Sequence, residues 1–229
     1  NKDYTCLNGL CPSFVSVIGG KIRNYESSLK HNDDLDFLPE PTMHKINGTY
    51  NIVLTGVGGT GILTTAALLG MAAHIEEKGV GILDMIGLSQ KGGAVLTHLR
   101  IGEKPKNVYS PRIASQGADL VIGGDLVVTG GLKTLSLIKS KHTKLVVNSY
   151  EFFTGDFTKN ADFLFPSLKI KKSIQELAGL DHVEFLDASR LVSSLIGDTI
   201  FTNIFLLGFA FQRGLIPLES SSIENAIEI

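Results

Sequence analysis

The chain has 229 residues, of which 43% are hydrophobic and 19% are charged, and its formal net charge is −2. This length suffices for one substantial hydrophobic core, or for one domain with an appendage. The near-neutral charge provides no basic field that would argue for binding to nucleic acid or to an anionic membrane, and no apolar run approaches the roughly 18 residues of a membrane-spanning helix. Two cysteines do not make a secreted disulfide framework, so we expect a cytoplasmic protein.

Residues 1–48 differ in character from the rest of the chain. They begin without an initiator methionine or a signal-peptide pattern, which favours a piece of a longer chain. Cys6 and Cys11, with a proline directly after the second, are typical of iron–sulfur or zinc ligands, but two cysteines cannot complete a four-ligand site. Either they are ordinary thiols, or the other ligands lie outside this chain. Residues 26–45 are polar and contain two prolines, as a linker does, so we place the domain boundary after residue 48.

A buried strand, a glycine turn and a long helix are predicted next. The apolar run 52–54 is typical of a strand that is covered on both faces, and the helix extends from Thr60 to about residue 78. Glycine allows a sharp turn and a close approach of the backbone to a ligand, while the first helical turn offers free N–H groups and the positive end of the helix dipole. A phosphate is the expected ligand, although the glycines could also serve only to tighten the connection. The residues of this turn are Gly56, Gly58, Gly59, Thr60 and Gly61.

The second predicted strand, residues 80–84, leads into a polar loop. Asp84, at the end of this strand, has the position along the chain of the acid that binds ribose in dinucleotide-binding folds. An alternative function is therefore a dinucleotide-binding Rossmann module without its own catalysis. The loop combines a hydroxyl, an amide and a positive charge with two glycines; it either closes over an anionic or carbonyl-bearing ligand or is an exposed hairpin entry. Its residues are Ser89, Gln90, Lys91, Gly92 and Gly93. The alternation over residues 95–101 then predicts a half-exposed strand at a sheet edge, on which His98 is not expected to be a catalyst.

The remainder of the chain alternates strands and helices. Strands are predicted at 119–123, 144–148 and 183–187, and helices at 125–138, 170–177, 188–195 and 202–213. Asp125 caps the first of these helices, and Asn148 and Ser149 end a strand where open α/β sheets place ligand groups, although turn and cap roles are commoner. The last helix is rich in phenylalanine, which is typical of a core or a subunit interface and leaves a ligand-free structural domain as a third hypothesis. The predicted fold class is α/β: a Rossmann-like, open, mostly parallel sheet with helices on both faces and a less regular N-terminal extension.

Motifs of self-contained catalysis do not occur in the chain. It has no G-x-S-x-G elbow, no lysine of a Walker motif after the glycine turn and no array of cysteines and histidines for zinc. We therefore assign no catalytic residue.

Three segments together resemble one family. They are residues 56–61, residues 87–95, and residues 203–208 with 214–217. They are similar to the gamma-type domain of the pyruvate/2-oxoacid:ferredoxin oxidoreductases, and most similar to the fused indolepyruvate ferredoxin oxidoreductases. Residues 1–14 resemble the cysteine-bearing segment that precedes this domain in the fused enzymes. The resemblance thus divides the chain into the tail of an iron–sulfur segment with a linker, 1–48, and a gamma-type domain, 49–229.

The resemblance implies a part of a larger enzyme that oxidatively decarboxylates a 2-oxoacid, here an arylpyruvate, to an acyl-CoA. Such enzymes use thiamine diphosphate and [4Fe-4S] clusters, and ferredoxin accepts the electrons. The thiamine-binding domains would be partners of this chain in an oligomer, and the isolated piece would be inactive. The glycine turn and the Lys91 loop would contribute to the active-site mouth and bind coenzyme A, while Cys6 and Cys11 would belong to a cluster-binding region. No nucleic-acid or membrane partner is expected.

Overall fold

The computed structural model describes residues 18–20, 38–87, 93–151 and 164–229. In these ranges the strands are β1 (Thr49–Val57), β2 (Gly79–Ile86), β3 (Ala94–Gly102), β4 (Leu120–Gly123), β5 (Lys144–Asn148) and β6 (Val183–Leu186). The α-helices are α1 (Ile62–Ile75), α2 (Leu126–Thr129), α3 (Leu132–Leu135), α4 (Ser167–Ala178), α5 (Ala188–Leu195), α6 (Thr202–Gln212) and α7 (Ser220–Glu228). Short 3₁₀ helices occur at Pro105–Asn107, Leu180–His182 and Thr199–Phe201.

The strands form one open sheet in the order β2-β3-β1-β4-β5-β6. The pairs β1–β4, β4–β5 and β5–β6 are parallel, whereas β3 runs antiparallel to both β1 and β2. The predicted α/β class with an open, mostly parallel sheet is therefore confirmed. The antiparallel pairs arise because β2 and β3 are consecutive along the chain and connected by a short segment, which cannot provide the crossover of a parallel pair.

Helices cover both faces of the sheet, as predicted. On one face, which we call the α1 face, α1, α6 and α7 pack on side chains such as Ile52 and Leu54. On the other, the α4 face, α2 and α4 pack on the alternate side chains, such as Val53 and Val121. Because successive side chains of a strand point to opposite faces, the apolar run of β1 supplies both cores. The phenylalanine-rich helix α6 contributes to the core of the α1 face.

Two predicted elements differ from the observed ones. The strand at residues 95–101 was expected at the edge and half exposed, but β3 lies inside the sheet, with Arg100 alone among these residues not buried. Its polar side chains are accommodated by hydrogen bonds, since Thr97 donates to Asp84 at 2.7 Å and His98 accepts from the amide of Ile113 at 2.9 Å. The edge strand is β2, whose exposure alternates along its length.

The helix expected at 125–138 is instead two short helices, α2 and α3, separated by Gly130 and Gly131. A Cβ atom on Gly130 would lie 2.5 Å from the Ile170 side chain, so the glycine also allows α4 to approach closely. Helix α1 begins at Ile62, two residues later than expected, with Gly61 as its N-cap.

Residues 38–48, which directly precede β1, contact the domain. The side chain of Gln212 donates to the carbonyl oxygen of Pro39 at 2.7 Å, and Ile46 packs against the core of the α1 face. The described ranges contain no helix that is both long and apolar enough to cross a membrane.

Candidate functional site

The carboxyl ends of β1 and β4 form a switch point of the sheet. These strands are parallel neighbours, and the amide of Gly124 donates to the carbonyl oxygen of Thr55 at 2.7 Å. Beyond them the chain turns to opposite faces, since α1 follows β1 on one face and α2 follows β4 on the other. A crevice opens where connections diverge in this way, and it is the usual ligand-binding position of open α/β sheets.

The predicted glycine turn lies at this switch point. Gly59 and Gly61 both have φ of 92°, in the left-handed region that favours glycine. A Cβ atom on Gly59 would meet no atom within 4 Å, so the turn is open at this residue. A Cβ atom on Gly56 would instead lie 2.7 Å from the side chain of Ile62, which shows that this glycine allows the helix to pack closely.

Some hydrogen-bond donors of the turn are already paired. The N–H of Gly58 donates to the carbonyl oxygen of Gly93 at 2.7 Å, and the hydroxyl of Thr60 donates to the carbonyl oxygen of Val57 at 2.7 Å. The Gly58 bond joins the turn to the end of the Ser89–Gly93 loop, so these two predicted parts of the site do meet. Ser89, Gln90, Lys91 and Gly92 lie outside the described residues.

The start of α1 offers unpaired donors. Its N-cap, Gly61, has no side chain to accept a hydrogen bond, and the first intrahelical bond of the main chain runs from Thr65 to Gly61. The amides of residues 62–64 therefore have no partner within the helix. The buried side chain of Asn203, on α6, donates to the carbonyl oxygen of Thr60 and holds the turn in place from the other side.

Two cavities border the turn. The first has a volume of about 300 Å³ and lies between Gly59 and Thr60 on one side and Asp125, Asn148 and Ser189 on the other. The second, of about 540 Å³, follows the start of α1 and has an apolar wall that includes Leu63, Ile200 and Phe201. The turn is thus accessible to a ligand from both directions.

Asp125 is the buried ionisable group of the first cavity. It is 3% exposed, and its Oδ1 accepts a hydrogen bond from the amide of Val128 at 2.8 Å, which confirms the predicted cap. Its Oδ2 has no hydrogen-bond partner within the described structure. Burial raises the pKa of Asp125, and the backbone amides of Val128, Val127 and Val57 act in the opposite direction.

Asn148 connects the elements on the far side of the same cavity. Its amide nitrogen donates to the carbonyl oxygen of Gly124 at 3.1 Å and to the hydroxyl of Ser189 at 2.9 Å. Its oxygen accepts from the amides of Ala188 at 3.1 Å and Tyr150 at 3.2 Å. The residue therefore acts as the turn and cap residue that the sequence favoured, and its side chain also lines the cavity.

The described charged side chains of the crevice are acidic. Asp125 and Asp198 line the first cavity, and no lysine or arginine among the described residues lines either cavity. A phosphate would therefore be bound by main-chain N–H groups here, and the cation predicted for this place, Lys91, belongs to the loop outside the described residues.

Asp84 does not occupy the position that a dinucleotide-binding fold requires. In that fold the strand with the ribose-binding acid neighbours the first strand. Here β3 lies between β1 and β2, so Asp84 is two strand spacings, about 10 Å, from β1. Its carboxylate accepts a hydrogen bond from Thr97. This geometry counts against the alternative function.

The predicted metal ligands, Cys6 and Cys11, lie outside the described residues. Within the described ranges, no group of three or more histidine, cysteine, aspartate or glutamate side chains is arranged to hold a metal ion.

Sequence reasoning missed Ser189 and Asn203 as residues of the crevice. Both come from helices far along the chain, and tertiary packing alone brings them to the glycine turn. The available signal for Asn203 was a polar residue in the first turn of an otherwise apolar helix, α6. Ser189 follows a predicted strand end and helix cap, which is where α/β folds collect polar groups.

Comparison with known proteins agrees with this architecture. The family model described as pyruvate ferredoxin/flavodoxin oxidoreductase matches residues 51–229. Among curated proteins, indolepyruvate oxidoreductase subunit IorB of Thermococcus kodakarensis is 32% identical over 181 residues, which cover 79% of this chain and 85% of that subunit.

Solved structures share the fold. Pyruvate oxidoreductase subunit PORC of Thermotoga maritima matches with a TM-score of 0.53 and 18% identity, over 79% of this chain and 84% of that one. The 2-oxoglutarate:ferredoxin oxidoreductase of Magnetococcus marinus, solved with 2-oxoglutarate, coenzyme A and succinyl-CoA bound, matches with a TM-score of 0.54 and 14% identity, over 80% of this chain and 27% of that one. At these identities the two structures bear on the fold alone. The match of the family model over most of the chain shows that this protein belongs to the pyruvate ferredoxin/flavodoxin oxidoreductase family.

Proposed function

We propose that this chain is the gamma-type part of a 2-oxoacid:ferredoxin oxidoreductase that converts arylpyruvates, indolepyruvate among them, to acyl-CoA products. Its own contribution is to bind coenzyme A at the mouth of the active site. The similarity to subunit IorB supports the substrate class. The thiamine-binding domains of the enzyme and ferredoxin are the proposed partners.

One observation carries the proposal: the uncapped start of α1 and the open glycine turn border two cavities at the switch point of the sheet. Main-chain N–H groups at a helix start suit the phosphates of coenzyme A. The apolar wall at Leu63, Ile200 and Phe201 suits the less polar pantetheine arm or adenine ring. The helix start and the apolar wall therefore fit this ligand, whereas Asp125 and Asp198 oppose a phosphate inside the first cavity.

The chemistry is divided between the ligand and the chain. Coenzyme A, when bound, supplies the thiol that accepts the acyl group. The chain's residues hold its phosphates at the turn, and the neutral amide of Asn203 keeps the turn in its open conformation. The described side chains of the first cavity that could act as a general acid or base are Asp125, Asp198 and Tyr150, and we assign this chain the role of orienting the ligand.

The iron–sulfur and thiamine groups fit this chain less well. The described residues offer no ligand set for a cluster, so Cys6 and Cys11 would need ligands from elsewhere in the enzyme. We place thiamine diphosphate on the partner domains.

The proposal is tested by a substitution at the glycine turn with a matched control. Gly59 and Gly48 both have positive φ and open space around an added Cβ atom, but only Gly59 borders the cavities. Gly59→Ala and Gly48→Ala should each destabilise the fold by about 1–2 kcal/mol, because an L-residue is strained in this conformation. We expect Gly59→Ala to weaken coenzyme A binding to the assembled enzyme at least about tenfold, measured by isothermal titration, and Gly48→Ala to leave it unchanged. Equal affinities in the two variants would remove the turn from the coenzyme A site.

A second substitution tests the adjacent loop. Lys91→Ala removes the positive charge that we propose faces the phosphates, so coenzyme A should bind more weakly and with a smaller dependence on salt concentration. Lys106→Ala, an exposed lysine in the 3₁₀ helix Pro105–Asn107, is the control. If both variants bind coenzyme A as the unmodified enzyme does, the loop has no part in binding.

A further inference from the structure

A separate cavity lies on the α4 face of the sheet. Its volume is about 470 Å³, and we call it the His98 pocket after the buried histidine in its wall. It shares no lining residue with the two cavities at the glycine turn. The apolar part of its wall comes from Leu96, Ile113 and Leu137, which belong to the core of the α4 face. The volume lies within the range of roughly 300–1,000 Å³ that is typical of small-molecule sites.

His98 lines this pocket and holds a buried ring nitrogen that is not used in a hydrogen bond within the described structure. The side chain is 2% exposed, and its Nδ1 accepts from the amide of Ile113 at 2.9 Å. Burial, assisted by the charge of Arg112, lowers the pKa of His98, so the ring is neutral at physiological pH. A neutral imidazole whose Nδ1 is an acceptor carries its proton on Nε2. That Nε2 has no hydrogen-bond partner within the described structure.

The charged residues in the wall of the pocket are all positive. Arg112 and Lys133 line it and are exposed, whereas no aspartate or glutamate among the described residues lines it. Two of its serines already use their hydroxyls as donors, since Ser115 bonds the carbonyl oxygen of Ser136 and Ser136 bonds that of Lys133. The donors left for a ligand are therefore a guanidinium, an ammonium, the imidazole N–H and the hydroxyl of Ser110, whose oxygen accepts from the amide of Arg112 at 3.3 Å.

We propose that the His98 pocket binds a small organic carboxylate with an aromatic or similarly apolar body. The carboxylate accepts hydrogen bonds from Arg112, Lys133 and the Nε2–H of His98, and the body packs on Leu96, Ile113 and Leu137. Arginine suits a carboxylate because its planar donors match the two oxygens. A free phosphate fits less well, because it leaves the apolar wall uncovered. This site is independent of the proposed coenzyme A site.

Phenylacetate is a suitable probe, with 2-phenylethanol as the uncharged molecule of the same body and inorganic phosphate as the anion without one. Isothermal titration of the full chain should give saturable binding of phenylacetate, and affinities at least about tenfold weaker for the other two. Phenylacetate should also shift the imidazole Nε2–H signal of His98 in a ¹H–¹⁵N spectrum. Absence of saturable phenylacetate binding, or phosphate binding of equal strength, would overturn the proposal.

Variants of exposed residues locate the binding without disturbing the core. Arg112→Ala and Lys133→Ala should each weaken phenylacetate binding at least about tenfold, and Lys106→Ala, which lies outside the pocket, should not change it. Saturation of the assembled enzyme with coenzyme A should leave the phenylacetate titration unchanged. Competition between them would place phenylacetate in the crevice at the glycine turn and would also overturn the proposal. Neither result affects the Gly59 test of coenzyme A binding.

Discussion

Asp125 serves two opposing roles at the crevice. As the N-cap of α2 it accepts a hydrogen bond from Val128, which stabilises the helix start. As a carboxylate that is almost fully buried, with Oδ2 unpaired, it is unfavourable in its charged form. A buried, unpaired carboxylate that lines a cavity is a candidate functional group.

The effect of this charge can be measured with Asp125→Asn. Asparagine caps a helix about as well as aspartate, but it cannot ionise. Because burial raises the folded-state pKa of Asp125 above its ordinary value of 3.8, its stabilising contribution is complete below pH 3.8 and is lost as the pH rises through the folded-state pKa. We therefore expect Asp125→Asn to be at least as stable as the unmodified chain at pH 7, with a smaller loss of stability between pH 4 and pH 7. Urea unfolding at both pH values measures this.

The control for this measurement is Asp198→Asn, at the exposed cap of the 3₁₀ helix Thr199–Phe201. A loss of stability at pH 7 that is larger in Asp125→Asn than in the control would mean that the buried carboxylate is favourable as an ion.

At the scale of elements, the local sequence pattern was sufficient to predict the bounds of those helices and strands that their own residues define. The bounds of β5 and α5 match the expected 144–148 and 188–195, because a continuous apolar run and a cap residue are local signals. The interior position of β3 could not be predicted in this way. Alternating polar residues indicate an exposed face, and only tertiary structure provides Thr97 and His98 with their partners.

The same distinction applies to the candidate site. The glycine turn was predictable because positive φ has a glycine signature within a short segment. Its position at a switch point depends on the direction in which two helices leave β1 and β4, and the contribution of Asn203 depends on the packing of α6. Neither is encoded in the residues near the turn.

The connection between β4, β5 and α5 depends on Asn148, which predicts a large effect of its removal. Asn148→Ala leaves a partly buried carbonyl oxygen at Gly124 and a buried amide at Ala188 without their side-chain partner. Unpaired buried groups cost about 1–3 kcal/mol each, so we expect the free energy of unfolding to fall by roughly 3 kcal/mol. Chemical denaturation measures this, and Ser189→Ala, which removes a single bond of the same network, should cost about 1 kcal/mol.

A double variant separates the network from simple packing. If the Asn148 and Ser189 side chains act together, the double variant should lose less stability than the sum of the single variants, because the shared bond is counted twice. Strict additivity would contradict the network.

For the whole molecule, the two proposed sites occupy different parts of the sheet. The crevice at the glycine turn lies where the parallel and antiparallel parts of the sheet meet, since β1 belongs to both. The His98 pocket lies on the α4 face, near the antiparallel part. No described residue lines both the His98 pocket and a cavity at the glycine turn.

Residues 38–48 should add stability to the domain. Within the predicted linker, Pro39, Thr42 and Ile46 contact the domain: Gln212 bonds Pro39, the backbone of Thr42 lies against Gly214, and Ile46 packs on the core. His44 also stacks on Tyr50, with ring centroids 6.2 Å apart.

These contacts should contribute about 1–2 kcal/mol, which for a domain of this size is roughly 3–6 °C in melting temperature. A chain that begins at Leu38 retains these contacts, and one that begins at Thr49, which lacks them, should melt below it. Ile46→Ala in the longer piece should account for part of the difference, and identical melting of the two pieces would show that residues 38–48 add nothing to the fold.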